Sequence, residues 1–257
     1  MGSVRLDSKR ETEVRQQLDE VVQTYSELIS SQDFPDKWVL RGNIHFSANH
    51  KDYIIKDSFN VLISLPQNYP DDPPRVQETG GRIPKEFHTN PDGTLCLGVP
   101  IAVRIKFLQN PRLLSFIEEQ IIPFLFSFCY WQEKRELPFG EFSHGGKGIR
   151  DYYKDIFKVK DYLHVLYLLK ILTDKSYHGH LLCPCDSGII LRNCHGKQLL
   201  YLMTFQTSEQ FFRDMGIILN SLSNEEKKTL NLKAFPMILQ KLIEKNRSLN
   251  EKTKKYI

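Results

Sequence analysis

Four prolines within nine residues, Pro66-Gln67-Asn68-Tyr69-Pro70-Asp71-Asp72-Pro73-Pro74, restrict this chain more than any other feature. A proline ring fixes φ and offers no amide hydrogen, so such a segment continues a sheet only at an edge, and here the chain must turn in extended form. The residues before it are strand-like. Leu40, Gly42, Ile44 and Phe46 alternate with more polar neighbours, and Phe59, Val61, Ile63 and Leu65 repeat the period of two beyond an Asn49-His50-Lys51-Asp52 turn. The pattern predicts two strands of an antiparallel meander stopped by the prolines. Arg75 to Glu78 reads as one more short strand, ended by Gly80-Gly81.

Helical periodicity flanks this region. Val14, Leu18, Val21, Tyr25 and Leu28 recur every three or four residues, which predicts an amphipathic helix over 11–31 before a break at Phe34-Pro35-Asp36. Further on, Asn110 and Pro111 read as the N-cap and first residue of a helix whose buried stripe is Leu113, Leu114, Ile117, Ile121 and Phe124. Pro123 inside that run should kink or divide it, and Cys129 reads as a small core hydrophobe. The glycine-rich stretch 138–148 reads as a loop without a phosphate-binding or dinucleotide fingerprint. Residues 152–172 read as helix, Ser223 with Glu226 fits a capping box, and Met237, Leu239, Leu242 and Ile243 give a last apolar face.

Composition bounds the function classes. At 257 residues with 40% apolar and 26% charged side chains, the chain is long enough for one or two globular domains and too apolar to be disordered. The net charge of +4 resides in 241–257, where six Lys or Arg face Glu244 and Glu251, so the remainder is neutral. A nucleic-acid reader would carry a basic face on its folded part, and that class is disfavoured. The most apolar stretch, 121–131, is interrupted by Pro123 and Ser127 and is short of the ~20 residues of a membrane span. With no apolar leader at the N-terminus, the chain reads as cytoplasmic.

Three of the five cysteines crowd together in Cys183-Pro184-Cys185-Asp186-Ser187-Gly188 and Cys194-His195-Gly196. Three thiols and an imidazole within thirteen residues supply the donors of a closed tetrahedral zinc site, with Gly188 permitting the turn between the halves. His178 and His180 are alternative fourth ligands to His195. With four protein ligands no position remains for water, so the predicted zinc is structural. The Pro, the Ser-Gly, the basic Arg192 and the Cys-His-Gly ending resemble the SEC-C motif found at the end of the bacterial preprotein translocase ATPase and in other bacterial proteins.

A second constellation is His88-Thr89-Asn90-Pro91-Asp92-Gly93-Thr94-Leu95-Cys96-Leu97, which places an imidazole, an amide and a thiol within nine residues of non-helical chain. A nucleophilic cysteine needs access and a donor for the reacting carbonyl oxygen, and an Asn amide is such a donor. The bland alternative is a turn followed by a buried thiol.

Taken in order, the first helix, the meander, Tyr69-Pro70 with Pro73-Pro74, His88-x-Asn90, Gly93-x-Leu95-Cys96-Leu97 and a following helix resemble the ubiquitin-conjugating enzyme family over residues 9 to 131, about half the chain. The resemblance implies an α+β fold: an N-terminal helix, an antiparallel meander of about four strands, an active-site loop and a following helix. It implies a conjugating domain over 1–145, joined to a helical region over 146–257 that holds a zinc knuckle near 180–200. It further implies that Cys96 carries an acyl group as a thioester, that Asn90 stabilises the oxyanion or orders the loop, and that His88 holds the loop in shape. Thr89 stands where the family has Pro, Asn90 lies only six residues before Cys96, and Ile101 to Phe107 replaces the usual Trp-containing segment. These departures are similar to the divergent bacterial branch, some of whose members accompany cyclic-nucleotide-making nucleotidyltransferases in antiphage (CBASS) systems.

The implied activity is acyl transfer from the C-terminus of a protein, such as that nucleotidyltransferase, to an amine on a protein or small molecule. Asp92, Glu141 and His144 are candidates for deprotonating the amine. The rival expectation is a non-catalytic adaptor that keeps the fold as a binding surface and recruits a partner through the knuckle.

Overall fold

The computed structural model describes residues 8–34, 37–139 and 145–230. In it the two alternating runs pair as strands β2 (Lys37–His50) and β3 (Tyr53–Ser64), with Leu40 opposite Ile63, Gly42 opposite Val61 and Ile44 opposite Phe59. The period of two puts Leu40, Ile44, Phe59, Val61 and Ile63 on one buried face. β4 (Arg75–Glu78) adds to β3, with Val76 opposite Ile63. A further strand, β1 (Leu28–Phe34), lies on the other edge, giving a four-stranded antiparallel meander in sequence order.

β1 corrects the sequence reading, which continued the first helix to Ser31. Helix α1 is Ser8–Thr24, with Val14, Leu18 and Val21 buried, and the chain then turns through a Leu28 N–H to Tyr25 O bond of 2.9 Å. Leu28 keeps the helical spacing and is buried, but it reaches the core from a strand. Its partner across the ladder is Gly42, at φ +137°, where a Cβ would lie 1.9 Å from Glu27 O. The approach of β1 to β2 therefore needs glycine at that position.

Past β3 the proline segment hangs on Tyr69, which is fully buried. Its hydroxyl donates to Gln17 Oε1 at 2.5 Å, and the same oxygen accepts the Leu113 N–H at 2.8 Å. Arg10 Nε donates to Tyr69 O at 2.7 Å. One glutamine of α1 thus fixes both the proline segment and the start of a later helix.

That later region differs from expectation in three ways. Helix α2 (Pro100–Gln109), with Ile101 and Phe107 buried, precedes the helix read from sequence. Asn110 closes α2 instead of opening the next helix, and its Nδ2 donates to Ser115 Oγ at 2.8 Å. Helix α3 (Leu113–Phe116) begins after Arg112 with no side-chain cap, the Leu113 N–H being taken by Gln17.

At Pro123 the run divides, as expected, into two α-helical segments, here joined through a π-turn. A π-turn over Ile117–Ile121 precedes α4 (Ile122–Lys134), and the Ile122 N–H reaches Ile117 O. Proline at 123 leaves the Glu119 carbonyl without its helical donor, and Lys106 Nζ of α2 donates to it at 2.6 Å. The resulting rod Leu113–Lys134 is long and apolar enough to cross a membrane by length and composition alone. Its most apolar part is half buried, and α4 packs on β2 and β3, with Phe128 edge-on to Phe59 at 5.9 Å.

Glu78 at the end of β4 organises the next stretch of chain. Its carboxylate accepts the N–H groups of Gly80, Arg82 and Ile83 at 2.7, 2.9 and 3.1 Å. Arg82 then lies over the Phe59 ring and grips Asp57 with two bonds of 2.8 and 2.7 Å. Hydrogen bonding to Arg82 holds the Asp57 carboxyl down at about 2, and Cys129 Sγ sits 3.3 Å from that carboxylate in the core. Burial pushes the Cys129 thiol up to about 12, as suits an inert core residue.

The chain divides into two compact units, Met1–Glu141 and Phe142–Ile257. The second is helical. Helices α5 (Gly145–Phe157), α6 (Tyr162–Asp174) and α8 (Ser208–Ser221) pack on one another, with α7 (Gly196–Leu202) and α9 (Asn224–Thr229) completing the described part. Two sequence readings change here. The expected helix 152–172 is interrupted after Phe157, where Lys158 takes φ +55° and Asp161 caps α6 by accepting the Leu163 N–H. The glycines at 145, 146 and 148, read as loop, begin α5, and a Cβ at Gly146 would lie 2.4 Å from Ile217 O on α8. Gly146 serves close helix packing.

The Ser223–Glu226 capping box forms with both of its hydrogen bonds, and a second one forms at Thr207–Gln210. Glu141, His144, the apolar face of 237–243 and the basic segment 241–257 lie outside the described residues.

Both tryptophans, Trp38 and Trp131, belong to the first unit, so their fluorescence reports its unfolding alone. Gln17→Leu strands two buried donors and is expected to destabilise that unit by roughly 2–4 kcal/mol in a denaturant titration, whereas Tyr69→Phe removes a single bond and costs about 1 kcal/mol. An Asp57 carboxyl titrating near 2 in a pH-dependent NMR series is the second expectation, with a return toward the ordinary range in Arg82→Gln. Because the folded value is depressed, its contribution to stability is present above about pH 4 and is lost as the pH falls toward 2.

Candidate functional site

The segment between Ile83 and α2 folds back on itself. The Asn90 N–H donates to Thr94 O at 2.7 Å, Thr89 bridges Leu95, and the Cys96 N–H donates to His88 O at 2.7 Å. Gly93, at φ +81°, makes the tip. Asp92 Oδ1 stiffens the tip by accepting both the Thr94 N–H at 3.0 Å and the Thr94 hydroxyl at 2.6 Å. The loop is docked on β4 through Leu95 N–H to Val76 O at 2.7 Å and Gln77 Nε2 to Asp92 O at 3.1 Å, and the Leu95 side chain enters the core.

His88, Asn90 and Cys96 therefore share one small hairpin. Cys96 is a free, half-buried thiol with Sγ 3.7 Å from Gly98 O, and burial pushes its pKa above the usual 9.0. His88, at φ +46°, gives its carbonyl to Cys96, while its ring lies 4.7 Å from Phe87 and 6.2 Å from Phe124. Asn90 is exposed, and its Nδ2 donates to Thr94 Oγ1 at 3.0 Å. Asp92 is occupied by Thr94, which holds its carboxyl below the usual range, with Arg75 3.8 Å away. That leaves it a turn-forming residue and a weak base. Sequence reasoning passed over Thr94, although a hydroxyl two residues after an Asp at a Pro-Asp-Gly turn is a recognisable Asx-type pattern.

The second cluster lies in the helical unit. A short hairpin, with Leu182 bridged to Ile190 and the Cys183 N–H donating to Ile189 O at 2.8 Å, turns through Asp186 and Gly188, both at positive φ. A 3-10 turn at Leu191–Asn193 then delivers Cys194 and His195 to the N-terminus of α7. Gly196 is required there, since a Cβ would lie 2.6 Å from the Tyr177 hydroxyl oxygen and 2.8 Å from Leu191 O. One donor atom from each of Cys183, Cys185, Cys194 and His195 lies within 4.8 Å of the others. Cys183 and Cys194 sulfurs are 3.1 and 3.2 Å from His195 Nδ1, and Cys185 and Cys194 are 3.5 Å apart.

His195 Nε2 lies 2.7 Å from Phe157 O. A carbonyl only accepts, so Nε2 carries the proton and Nδ1 turns its lone pair to the thiols. Burial raises the Cys183 thiol, whereas at Cys185 burial is outweighed by hydrogen bonds from Ser187 and Cys183, which lower it. These four side chains fit a metal ion. His178 and His180, the alternative ligands, stand edge-on to each other with ring centroids 6.0 Å apart and are not among the clustered donors.

Comparison with models of known protein families, with curated proteins and with solved structures gives no match.

Protein purified without chelator is expected to carry one metal ion per chain by elemental analysis, and Cys185→Ser to lose most of it. Stripping the metal should accelerate amide exchange across 181–196 while leaving β2 and β3 protected. Equal exchange in 181–196 with and without metal would show that the cluster holds none.

Proposed function

We propose that this chain is a ubiquitin-conjugating-like acyl carrier whose nucleophile is Cys96. The observation that carries the reading is the hairpin itself: Cys96 N–H pairs with His88 O, and the His88-x-Asn90 and Cys96 arms close on each other at the end of a four-stranded meander. The preceding helix α1, the anchored Tyr69-Pro70 segment and the following helices stand in the order of the resembling family. Support also comes from Cys96 lying outside the metal cluster and outside the closed core that seals Cys129.

In the reaction, Cys96 sulfur attacks the carbonyl carbon of a C-terminal glycyl thioester, the donor thiol leaves with the thiol proton, and a new thioester forms at Cys96. An amine then attacks that carbonyl, the C–S bond breaks, Cys96 leaves as thiolate, and the proton shed by the amine protonates it or passes to solvent. Asn90 Nδ2 is the donor for the oxygen that gains charge in both steps. The acyl donor is the C-terminus of a protein, and a CBASS nucleotidyltransferase in antiphage defence fits the resemblance; the acceptor is an amine of a protein or small molecule. Cys183, Cys185, Cys194 and His195 would hold a structural zinc that shapes a docking knuckle, since a donor set of three thiolates and one imidazole suits that ion. Such chemistry belongs in a reducing cytoplasm, where thiols persist.

One observation favours the rival reading, a non-catalytic adaptor. The Cys96 thiol is half-buried beside Gly98 O and burial raises its pKa, as in a thiol kept for packing.

Trapping decides between them. Cys96→Ser, expressed with its cellular partners and isolated under denaturing conditions, should carry a protein through an ester that resists thiols and yields to hydroxide, while the wild type carries the same protein through a thiol-labile bond. Absence of both adducts leaves the adaptor.

A further inference from the structure

The hydrogen bonds at the hairpin tip form a directed chain. An ionised carboxylate only accepts, so the Thr94 hydroxyl, 2.6 Å from Asp92 Oδ1, spends its single proton there. What Thr94 Oγ1 then offers at 3.0 Å to residue 90 is a lone pair, and only the Nδ2 end of the Asn90 carboxamide can meet it. A charge two residues beyond Asn90 thus dictates which end of that amide faces the tip. Nδ2 keeps a second proton for another acceptor.

The hairpin does not need the hydroxyl for its shape. Asn90 N–H to Thr94 O, Gly93 N–H to Asn90 O at 2.9 Å, Cys96 N–H to His88 O and Leu95 N–H to Val76 O are all backbone bonds. The side-chain relay is an addition to a turn already held. Its effect falls on Asn90, one diagonal step along the ladder from the His88–Cys96 pair, a separation of roughly 7–8 Å between such neighbours.

Resting on the conjugating reading above, we propose that Thr94, with its hydroxyl oriented by Asp92, is a positioning residue that fixes the Asn90 carboxamide so that Nδ2–H is presented to the acyl oxygen on Cys96. Thr94 itself touches no reacting atom. Its action through Asn90 makes the effects of the two residues non-additive.

The test uses the full chain, a glycyl peptide thioester of a small thiol as acyl donor, and free lysine as acceptor. Thr94→Val keeps the shape and removes the lone pair; it should slow discharge of the Cys96 thioester to lysine by roughly tenfold, a fraction of what losing a whole oxyanion donor costs. Thr94→Ser should restore the rate. In an Asn90→Ala background Thr94→Val should change nothing further, and alkylation of Cys96 by iodoacetamide should proceed equally in wild type, Thr94→Val and Thr94→Ser. Asp92→Asn, which keeps the side-chain shape but removes the charge that orients the hydroxyl, should also slow discharge and provides a second route if Thr94→Val folds poorly.

Discharge at the wild-type rate in both Thr94→Val and Asp92→Asn overturns this inference and leaves the conjugating reading standing. A further fall of Thr94→Val in the Asn90→Ala background also overturns it, because Thr94 would then act by another route. A wild type that is alkylated at Cys96 yet takes no acyl group from the thioester overturns the conjugating reading and this inference with it.

Discussion

The first unit depends on a single side-chain oxygen. Gln17 Oε1 takes the Tyr69 hydroxyl from one direction and the Leu113 N–H from another, inside the core. Both donors arise where the backbone cannot provide for itself. A segment with four prolines makes few ladder bonds, and a helix that starts without a cap leaves its first N–H groups open. One buried acceptor resolves both and ties α1 to the two places where the chain changes direction. The position of β4 is set by where the proline segment is held, and the position of the Cys96 hairpin is set by β4, because Leu95 docks on Val76.

Proline also sets the other half of that unit. At Pro123 the lost helical bond is answered by a π-turn and by Lys106, a residue of the preceding helix. The rod stays continuous from Leu113 to Lys134 and covers the sheet with Phe128 and its neighbours. A charged side chain hydrogen-bonding a backbone carbonyl thereby joins α2, which starts four residues after Cys96, to the long rod beneath it. The local geometry around the thiol is held from both sides.

How much of this was readable in the sequence depends on where each signal resides. Alternation along β2 and β3 and the capping box at Ser223 are local, and both appear where expected. The Cys183, Cys185, Cys194 and His195 cluster is also local, its members being set by spacing around Gly188, and it is His195, held by the Phe157 carbonyl, that joins the three thiols. Leu28 was misplaced because apolar spacing is the same whether a residue enters the core from a helix or from a strand. The glycines of α5 misled because Gly146 answers to a neighbouring helix and not to its own segment. Asn110 and Pro111 looked like a helix start because the acceptor that serves Leu113 lies far away at Gln17. At the hairpin, the residue types were legible and their hydrogen-bond partners were not, so Asn90 was seen and Thr94 was missed.

The bond from His195 to the Phe157 carbonyl ties the knuckle to the last residue of α5. A backbone carbonyl at the end of one helix thus fixes the tautomer of an imidazole in the cluster. Any ion that these four side chains held would then depend on α5 as well: with that carbonyl withdrawn, nothing would keep the proton on Nε2 and the lone pair turned to the thiols.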